Sequence, residues 1–416
     1  MKIAKIIISL LLVAAIAINI TSCAVTVQAD DLMKDISPNN VNGKLPDDKF
    51  TASMADFSIE LFKKSITDGK NSLVSPLSVM LALAMTANGA DSETLSQMEK
   101  LLGGDIPLSE LNEYLYGYVK GLPNEDKSKL RIANSIWFRD NENRLRVESD
   151  FLQKNADYYG ATAYKSAFDE QTLKDINNWV KSNTDGMIDS ILDEISDDAV
   201  LYLINAVVFD AEWQNVYNKY NIQKGDFNDI NGIVQTVDFM HSDEYKYLDD
   251  GKAIGFIKPY ANNGYSFAAL LPNEGITIDE YIDFLTGIGF INILENYEST
   301  TVYASMPKFE YEYEVQMNDI LKALGMPDAF DSGKADFKKM ATSSNGNIYI
   351  GEVLHKTYIS VDELGTKAGA VTSIMMNDAG TPAEPKIVRL DRPFVYAIID
   401  NATNLPVFIG TLITMK

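Results

Sequence analysis

A stretch near the C-terminus, residues 361–377, constrains the fold of this chain more than any other feature. From residue 368 to residue 377 it carries no acidic or basic side chain, whereas surface loops are usually polar and rich in turn residues. Alternate residues of an extended chain share one face. One face would then hold only uncharged side chains, with the small ones near its start. Its members are Thr366, Ala368, Ala370, Thr372, Ile374 and Met376. The pattern predicts a segment that can become an additional strand of a sheet.

Other short sequence blocks are spread over most of the chain. They span residues 71–78 with 85–90, 130–138, 176–180 with 184–186, 203–206 with 209 and 213, 306–309, 324–326 with 329–330, 353–357, 391–394 and 408–410. In content and order these blocks resemble the serpin family from about residue 48 to residue 416. Residues 361–377 resemble the serpin hinge and reactive-centre loop, whose insertion into a sheet is a known mode of strand addition. Two departures, at residues 209–211 and at Leu364, remove no group that the serpin mechanism uses.

The resemblance implies an α+β fold in which helices pack around a large central β-sheet, with smaller sheets and an exposed reactive-centre loop. The sequence patterns agree, because helical spacing prevails early and β-rich runs prevail late. Pro76 suits the first turn of a buried helix, and residues 201–209 suit a strand that is covered on both faces. A length of 416 residues would ordinarily suggest two or three domains. We nevertheless expect one serpin domain over residues 48–416, since no linker-like stretch divides it.

The hinge is assigned by the resemblance to six residues: Glu363, Gly365, Thr366, Ala368, Gly369 and Ala370. In the family the cleaved bond usually lies at the end of seventeen residues counted from the hinge glutamate. That count predicts Ala379–Gly380 as the reactive bond. Three other bonds remain open: Asp378–Ala379, Met376–Asn377 and Thr381–Pro382, the last disfavoured by its proline. A small residue before the bond suits shallow specificity pockets, so elastase-like serine proteases are the expected partners.

A second group of residues matches family positions where the central sheet opens. The resemblance implies a buried hydrogen-bond network of Ser75, Ser78, Asn205 and His355, with Trp213 at the top of the sheet where the loop enters. Polar groups that are buried in a sheet must be paired, and such a network could hold two strands together yet let them separate. Two simpler interpretations stay open. His355 could be an ordinary core histidine whose hydrogen bonds are satisfied and which has no role in sheet opening, and Trp213 could serve only to pack the core.

Composition gives little support for enzyme chemistry or for a nucleic-acid partner. The chain has two histidines, no zinc-ligand spacing, no phosphate loop and no Gly-x-Ser-x-Gly elbow. We therefore expect no enzyme, no cofactor and no metal, although composition alone does not exclude a Ser-His-Asp triad. A net charge of −23 argues against nucleic acid, because phosphate binding needs a cationic surface. The charge fits solubility, or attraction to a cationic protease.

The N-terminus predicts export. Lys2 and Lys5 precede an apolar run of about thirteen residues, which is typical of a signal peptide rather than of a membrane span. Cys23 is the only cysteine and resembles a lipobox residue; ordinary cleavage after Ala29 is the alternative. We expect a signal peptide over residues 1–22, a flexible tether over residues 23–47, and a monomer that is extracellular or held at the cell surface by the lipid on Cys23, its one membrane contact.

These features together predict a secreted bacterial serpin that inhibits serine proteases as a suicide substrate. The protease would cut the loop, and the freed hinge would enter the central sheet before the acyl-enzyme is hydrolysed. One alternative is a non-inhibitory protein of the serpin fold, such as a chaperone or carrier. It would be indicated by charged or bulky hinge residues, whereas this hinge has Thr366, Ala368 and Gly369. The other alternative is a surface adhesin that uses the same fold.

Overall fold

The computed structural model describes residues 27–140, 144–196, 199–344, 346–366 and 384–415. Within these ranges the chain forms nine α-helices and eighteen β-strands. The helices are α1 (Asp48–Lys64), α2 (Pro76–Ala87), α3 (Ser92–Gly103), α4 (Leu108–Gly121), α5 (Ser149–Tyr159), α6 (Glu170–Asn183), α7 (Ile278–Phe284), α8 (Gly287–Glu295) and α9 (Asn318–Ala323). The strands are β1 (Asp30–Asp31), β2 (Ser72–Val74), β3 (Ser128–Arg139), β4 (Leu145–Val147), β5 (Thr162–Ser166), β6 (Leu201–Glu212), β7 (Ile222–Asn228), β8 (Val234–Asp249), β9 (Ala253–Pro259), β10 (Tyr265–Pro272), β11 (Glu298–Pro307), β12 (Phe309–Gln316), β13 (Ala341–Ser343), β14 (Glu352–Val361), β15 (Gly365–Thr366), β16 (Lys386–Arg389), β17 (Phe394–Asp400) and β18 (Pro406–Leu412).

A central sheet has seven strands within the described residues, in the order β1-β5-β3-β6-β15-β14-β12. Its middle strand, β6, is buried along almost its whole length, because helices and a second sheet cover its faces. β6 pairs antiparallel with β3 on one side. On the other side it pairs parallel with β14, but only from Glu352 opposite Tyr202 to Lys356 opposite Ala206. The two strands that flank the functional site are therefore joined at one end only.

A second sheet has nine strands within the described part of the chain, in the order β16-β11-β8-β9-β10-β17-β18-β2, with β7 also on β8. It is this wide because the sixteen-residue strand β8 pairs with β7 along its first part, with β11 from its middle onwards, and with β9 at its end. Helix α2 contacts β18 of this sheet as well as β3 and β6 of the central sheet. All twelve of its residues are buried, and Pro76 stands in its first turn as the sequence predicts.

The structure places residues 27–47, for which we expected a flexible tether, against the body of the domain. The backbone N–H groups of Gln28 and Ala29 donate to one carboxylate oxygen of Asp175, at 2.9 and 2.7 Å. Strand β1 pairs antiparallel with β5. The Asn39 N–H donates to the Asp157 carboxylate at 2.7 Å. A polar composition permits a solvated chain, but here the backbone groups find partners on the domain.

The same segment then crosses helix α4 at very short range. A Cβ on Gly117 would lie 2.2 Å from the Lys44 carbonyl oxygen, and a Cβ on Gly43 would lie 2.8 Å from the Gly117 Cα. The Lys44 N–H donates to the Glu113 carbonyl oxygen at 2.9 Å. Gly43 and Gly117 face each other and therefore let the two backbones touch. Any residue with a side chain larger than a hydrogen atom would keep them apart.

The described residues hold no helix that is long and apolar enough to cross a membrane. In the same ranges we find no group of three or more His, Cys, Asp or Glu side chains placed to hold a metal ion. The α+β architecture with a central sheet and surrounding helices is confirmed.

Candidate functional site

The site lies where the central sheet splits between β6 and β14. Strand β15 enters this split from one end and pairs antiparallel with both neighbours: Thr366 lies opposite Ala211 of β6 and opposite Val361 of β14. The parallel β6–β14 pairing closes the other end. Two residues of the hinge, Gly365 and Thr366, thus already form the start of a strand between β6 and β14.

Both of these hinge residues fit their positions closely. A Cβ on Gly365 would lie 2.0 Å from the Ala211 carbonyl oxygen, so only glycine allows this approach to β6. The Thr366 side chain is buried, and its hydroxyl shares a 2.6 Å hydrogen bond with the Tyr260 hydroxyl. The predicted inner face of the hinge is therefore the buried face at Thr366, the last described residue before the loop.

The turn that leads into β15 is held by contacts from other parts of the chain, first of all from Trp213. The Trp213 indole N–H donates to the Asp362 carbonyl oxygen at 2.8 Å. The backbone N–H of Trp213 donates to the carbonyl oxygen of Leu364 at 2.9 Å. Trp213 also stacks on Tyr260, with 4.5 Å between ring centroids. Trp213 thus lies against this turn, at the end of the split where β15 enters.

Glu363 is anchored on the same turn by a cation. The Lys308 ammonium forms an ion pair and a hydrogen bond with the Glu363 carboxylate. This hydrogen bond holds the pKa of Glu363 below its ordinary value, against a smaller opposing effect of burial. The Glu363 carbonyl oxygen accepts from the Tyr217 N–H at 2.9 Å. The resemblance did not point to Lys308, although it lies in the quoted block at residues 306–309.

The predicted buried network lies where the parallel β6–β14 pairing ends. The amide nitrogen of Asn205 donates to both the carbonyl oxygen and the hydroxyl of Ser78. The amide oxygen of Asn205 lies 2.7 Å from His355 Nδ1, and His355 Nε2 accepts from the Ser75 backbone N–H at 3.1 Å. His355 therefore carries its proton on Nδ1 and donates it to Asn205.

Two details of this network differ from the expectation. Ser75 takes part through its backbone N–H, while its buried hydroxyl has no hydrogen-bond partner. The Asn205 amide also donates to the side-chain oxygen of Asn134 on β3. The sequence analysis missed this member, although Asn134 lies in the block at residues 130–138.

Complete burial lowers the pKa of His355 to about 3, so the imidazole is neutral at physiological pH.

Several predicted site residues lie outside the described residues. These are Ala368, Gly369 and Ala370 of the hinge, Ala379 and Gly380 of the reactive bond, and Cys23.

Comparison with known proteins gives a consistent answer. A family model described as serpin (serine protease inhibitor) matches residues 52–415. A serpin-like protein of Thermococcus kodakarensis is 30% identical over 376 residues, which make up 86% of this chain and 84% of the relative. A thermophilic serpin, tengpin, solved in its native state has a TM-score of 0.90 at 59% identity, with 93% of this chain and 100% of that chain covered.

The latent state of tengpin is less similar, with a TM-score of 0.80 at 55% identity over 90% of this chain and 100% of that chain. Members of the matching family are for the most part protease inhibitors rather than enzymes. The family model covers most of the chain, and the fold and the split sheet agree with it. This chain belongs to the serpin family.

Proposed function

We propose that this serpin inhibits serine proteases as a suicide substrate, by inserting its cleaved loop as a new strand between β6 and β14. The observation that carries the proposal is β15: Gly365 and Thr366 already occupy the first two places of that strand. The relative with 59% identity is known in a native and in a latent state, which supports a fold with two stable arrangements.

The register of β15 supports an estimate of how far the new strand would extend. If the pairing of Thr366 with Ala211 and Val361 continued, the nine residues 367–375 would lie opposite residues 210–202 of β6 and residues 360–352 of β14. Both sides end at the pair Tyr202–Glu352, where the present parallel pairing begins. Insertion would therefore replace five parallel pairs by two complete antiparallel ladders.

The energy available from this exchange is large. It would gain roughly a dozen ladder hydrogen bonds at about 0.5–1.5 kcal/mol net each, and thus on the order of 10 kcal/mol. That is comparable to the whole stability of a typical domain. A protease attached to the loop by an acyl bond could therefore be distorted before hydrolysis releases it.

The test is incubation with a panel of serine proteases. We expect an SDS-stable complex of protease and serpin, a released C-terminal peptide, and a cleaved serpin that unfolds at a higher temperature than the intact one. Cleavage without a covalent complex, and without added heat resistance, would contradict inhibition and support a non-inhibitory member of the family.

We also propose Ala379–Gly380 as the reactive bond and elastase-like enzymes as the targets. A small residue before the bond suits a shallow pocket, and the nearest basic residue on the C-terminal side of this bond, Lys386, lies at the start of β16. Mass spectrometry of the released peptide should give Gly380 as its first residue. Any other first residue would move the bond to one of the alternatives.

The proposed location is the outer face of the cell, with Cys23 as the lipid-modified residue. Cys23→Ala should release the protein into the medium or leave it unprocessed, and labelling with a radioactive fatty acid should mark the wild type only. Wild-type protein found free with Asp30 as its first residue would show that cleavage after Ala29 is correct instead.

A further inference from the structure

The turn that leads into β15 is supported by one short segment of the chain. Residues 213–217 follow β6 directly and donate hydrogen bonds to the three consecutive carbonyl oxygens of residues 362–364. Trp213 donates the first and the third of these bonds through its indole and backbone N–H groups, and the Tyr217 N–H donates the middle one at 2.9 Å. We call residues 213–217 the supporting segment. The position of the turn therefore depends on where this segment lies.

A buried cation lies under the supporting segment. The Lys258 side chain, near the end of β9, is 2% exposed. Its ammonium lies 4.4 Å from the ring centroid of Tyr217 and 5.4 Å from that of Trp213, and it donates to the Asn215 carbonyl oxygen at 3.3 Å. A cation that is shielded from water is attracted to aromatic ring faces. One side chain thus contacts both residues that hold the turn.

Lys258 is itself held by Glu244 of β8. The ammonium lies 2.8 Å from the Glu244 carboxylate, which also accepts from the Ser242 hydroxyl at 2.7 Å. The Ser242 oxygen lies 3.3 Å from the Tyr217 hydroxyl. Burial acts to lower the pKa of Lys258, but the attraction of Glu244 and Tyr217 outweighs it and raises this pKa above its ordinary value. Lys258 therefore stays charged at physiological pH.

The buried pair is better suited to fixing positions than to stabilising the fold. Taking two charges out of water is costly, and apolar residues of similar volume can often replace a buried ion pair without loss of stability. An ammonium, however, needs its carboxylate, carbonyl and ring partners at definite places. The supporting segment forms neither a helix nor a strand ladder beyond the single bridge from Trp213 to Tyr260. Its place therefore depends on contacts such as those of Lys258.

We propose that Lys258 is a positioning residue for the hinge. With Glu244 it holds the supporting segment, and through that segment the turn, so that Gly365 and Thr366 lie in the split before the loop is cut. Insertion then lengthens a strand that already exists, which reduces the cost of ordering its start. The effect on trapping rests on the proposed inhibitory function, since insertion must be faster than hydrolysis of the acyl-enzyme. The position of the turn can be measured in the intact protein.

The main variant combines Lys258→Met with Glu244→Gln. It removes both charges together, so that no unpaired charge stays buried. The matched control combines Lys63→Met with Glu60→Gln, which makes the same exchange at a partly exposed ion pair on α1.

Three quantities are measured for each protein. The first is the exchange rate of the backbone amide hydrogens of residues 362–366 in the intact protein, by mass spectrometry. The second is the number of serpin molecules consumed per inhibited protease, with the protease that the panel identifies. The third is the unfolding temperature of the intact and of the cleaved protein.

We expect the amides of residues 362–366 to exchange about tenfold faster in the Lys258/Glu244 double variant, which corresponds to about 1.4 kcal/mol of local protection. The number of molecules consumed beyond the first is the ratio of the hydrolysis rate to the insertion rate, and it should rise about tenfold. Amides elsewhere and both unfolding temperatures should not change, because insertion is slower but reaches the same end. The Lys63/Glu60 control should match the wild type.

Ser242→Ala is a milder variant that keeps the ion pair. It removes only the hydroxyl that lies between Glu244 and Tyr217. Amide exchange at the turn and consumption of the serpin should change in the same direction as in the double variant, by about threefold. This variant decides the proposal even if the double variant does not fold.

Unchanged exchange of residues 362–366 in both variants would overturn the positioning role and leave the inhibitory function intact. Faster exchange throughout the protein, with a lower unfolding temperature, would show that the pair is only structural and would also overturn the proposal. Faster exchange at the turn with unchanged trapping would overturn the effect on insertion. A wild type that forms no covalent complex with any protease would overturn the inhibitory function, while the exchange of residues 362–366 would still decide whether Lys258 positions the turn.

Discussion

Replacing Ala368 by arginine tests the proposed insertion at its earliest step. Continuing the β15 register places residue 368 opposite Phe209 of β6 and opposite Ile359 of β14. Both of these side chains are buried, at 5% and 2% exposure. Their face of the sheet is also the one that buries Thr366. An arginine at this position would therefore enter an apolar site two residues after insertion begins.

The size of the effect follows from that environment. Phe209 packs edge-on against Tyr260 and Tyr265, at 5.0 and 5.3 Å between centroids. Burying a charge without a partner costs several kcal/mol after relaxation. About 3 kcal/mol in the transition state of insertion would slow that step by about a hundredfold. Hydrolysis of the acyl-enzyme is untouched, so most molecules would be cut and released.

The assay is titration of a fixed amount of protease with wild-type or Ala368→Arg serpin. The variant should be cleaved at the same bond but should need many more molecules per protease inhibited. It should also gain less heat resistance on cleavage. Lys367→Ala is the control, because residue 367 would face the opposite side of the sheet. Trapping by Ala368→Arg at wild-type stoichiometry would refute insertion in this register.

Three further predictions concern stability. Native His355 has a pKa of about 3 against an ordinary 6.5, so its contribution to the free energy of unfolding is complete above pH 6.5 and falls as the pH drops towards 3. Urea unfolding at pH 4.5 should show a free energy of unfolding that is lower by roughly 2–3 kcal/mol than at neutral pH. The His355→Gln variant should not show this loss. Glu363→Gln should lower the free energy of unfolding by less than about 1 kcal/mol, because the ion pair of Glu363 is partly exposed. Since the pKa of Glu363 is lowered in the native state, the ion pair stabilises the fold above the ordinary glutamate pKa, and this stabilisation disappears as the pH falls through the native pKa. Gly117→Ala should lower the free energy of unfolding by about 1–3 kcal/mol, because the new methyl group displaces the N-terminal segment. Proteases should then cut residues 36–45 more easily. Gly121→Ala on the same helix is the control: its methyl group meets no atom within 4 Å, so stability should not change.

The sequence predicted those parts of the site that depend on local pattern. The alternation of small uncharged residues indicated which face of the hinge would be buried, and Thr366, the one position of that face that the structure describes, is buried. The nearly continuous apolar run of β6 indicated a strand covered on both faces. Family position supplied the contacts among Ser78, Asn205 and His355, which no local pattern could give.

The missed features depend on contacts between distant segments. Lys308 and Glu363 are 55 residues apart, and neither position has a pattern of its own that indicates the other. The docking of residues 27–47 was missed for a related reason, because their polar composition does not show whether backbone groups are bonded to water or to the domain. Gly43 and Gly117 are the only sign of it in the sequence, and they are informative only once the two backbones are known to cross.

The contacts around the split suggest why the sheet does not close on its own loop. At the top, Trp213 and Lys308 hold the turn at residues 362–364, from which the new strand would continue beyond Thr366. At the lower end, Asn205 and His355 join β6 to β14 across the line that residues 367–375 would occupy. Neither group is strong by itself, since neutral hydrogen bonds contribute about 1 kcal/mol each and the partly exposed Lys308–Glu363 ion pair contributes less than about 1 kcal/mol. The contacts at the lower end would have to open before most of the new ladder could form, so in the proposed mechanism they raise the barrier to insertion by about the free energy by which they stabilise the native state. The proposed inhibition needs such a barrier, because the fold must persist for long times and yet release its energy once a protease has cut the loop.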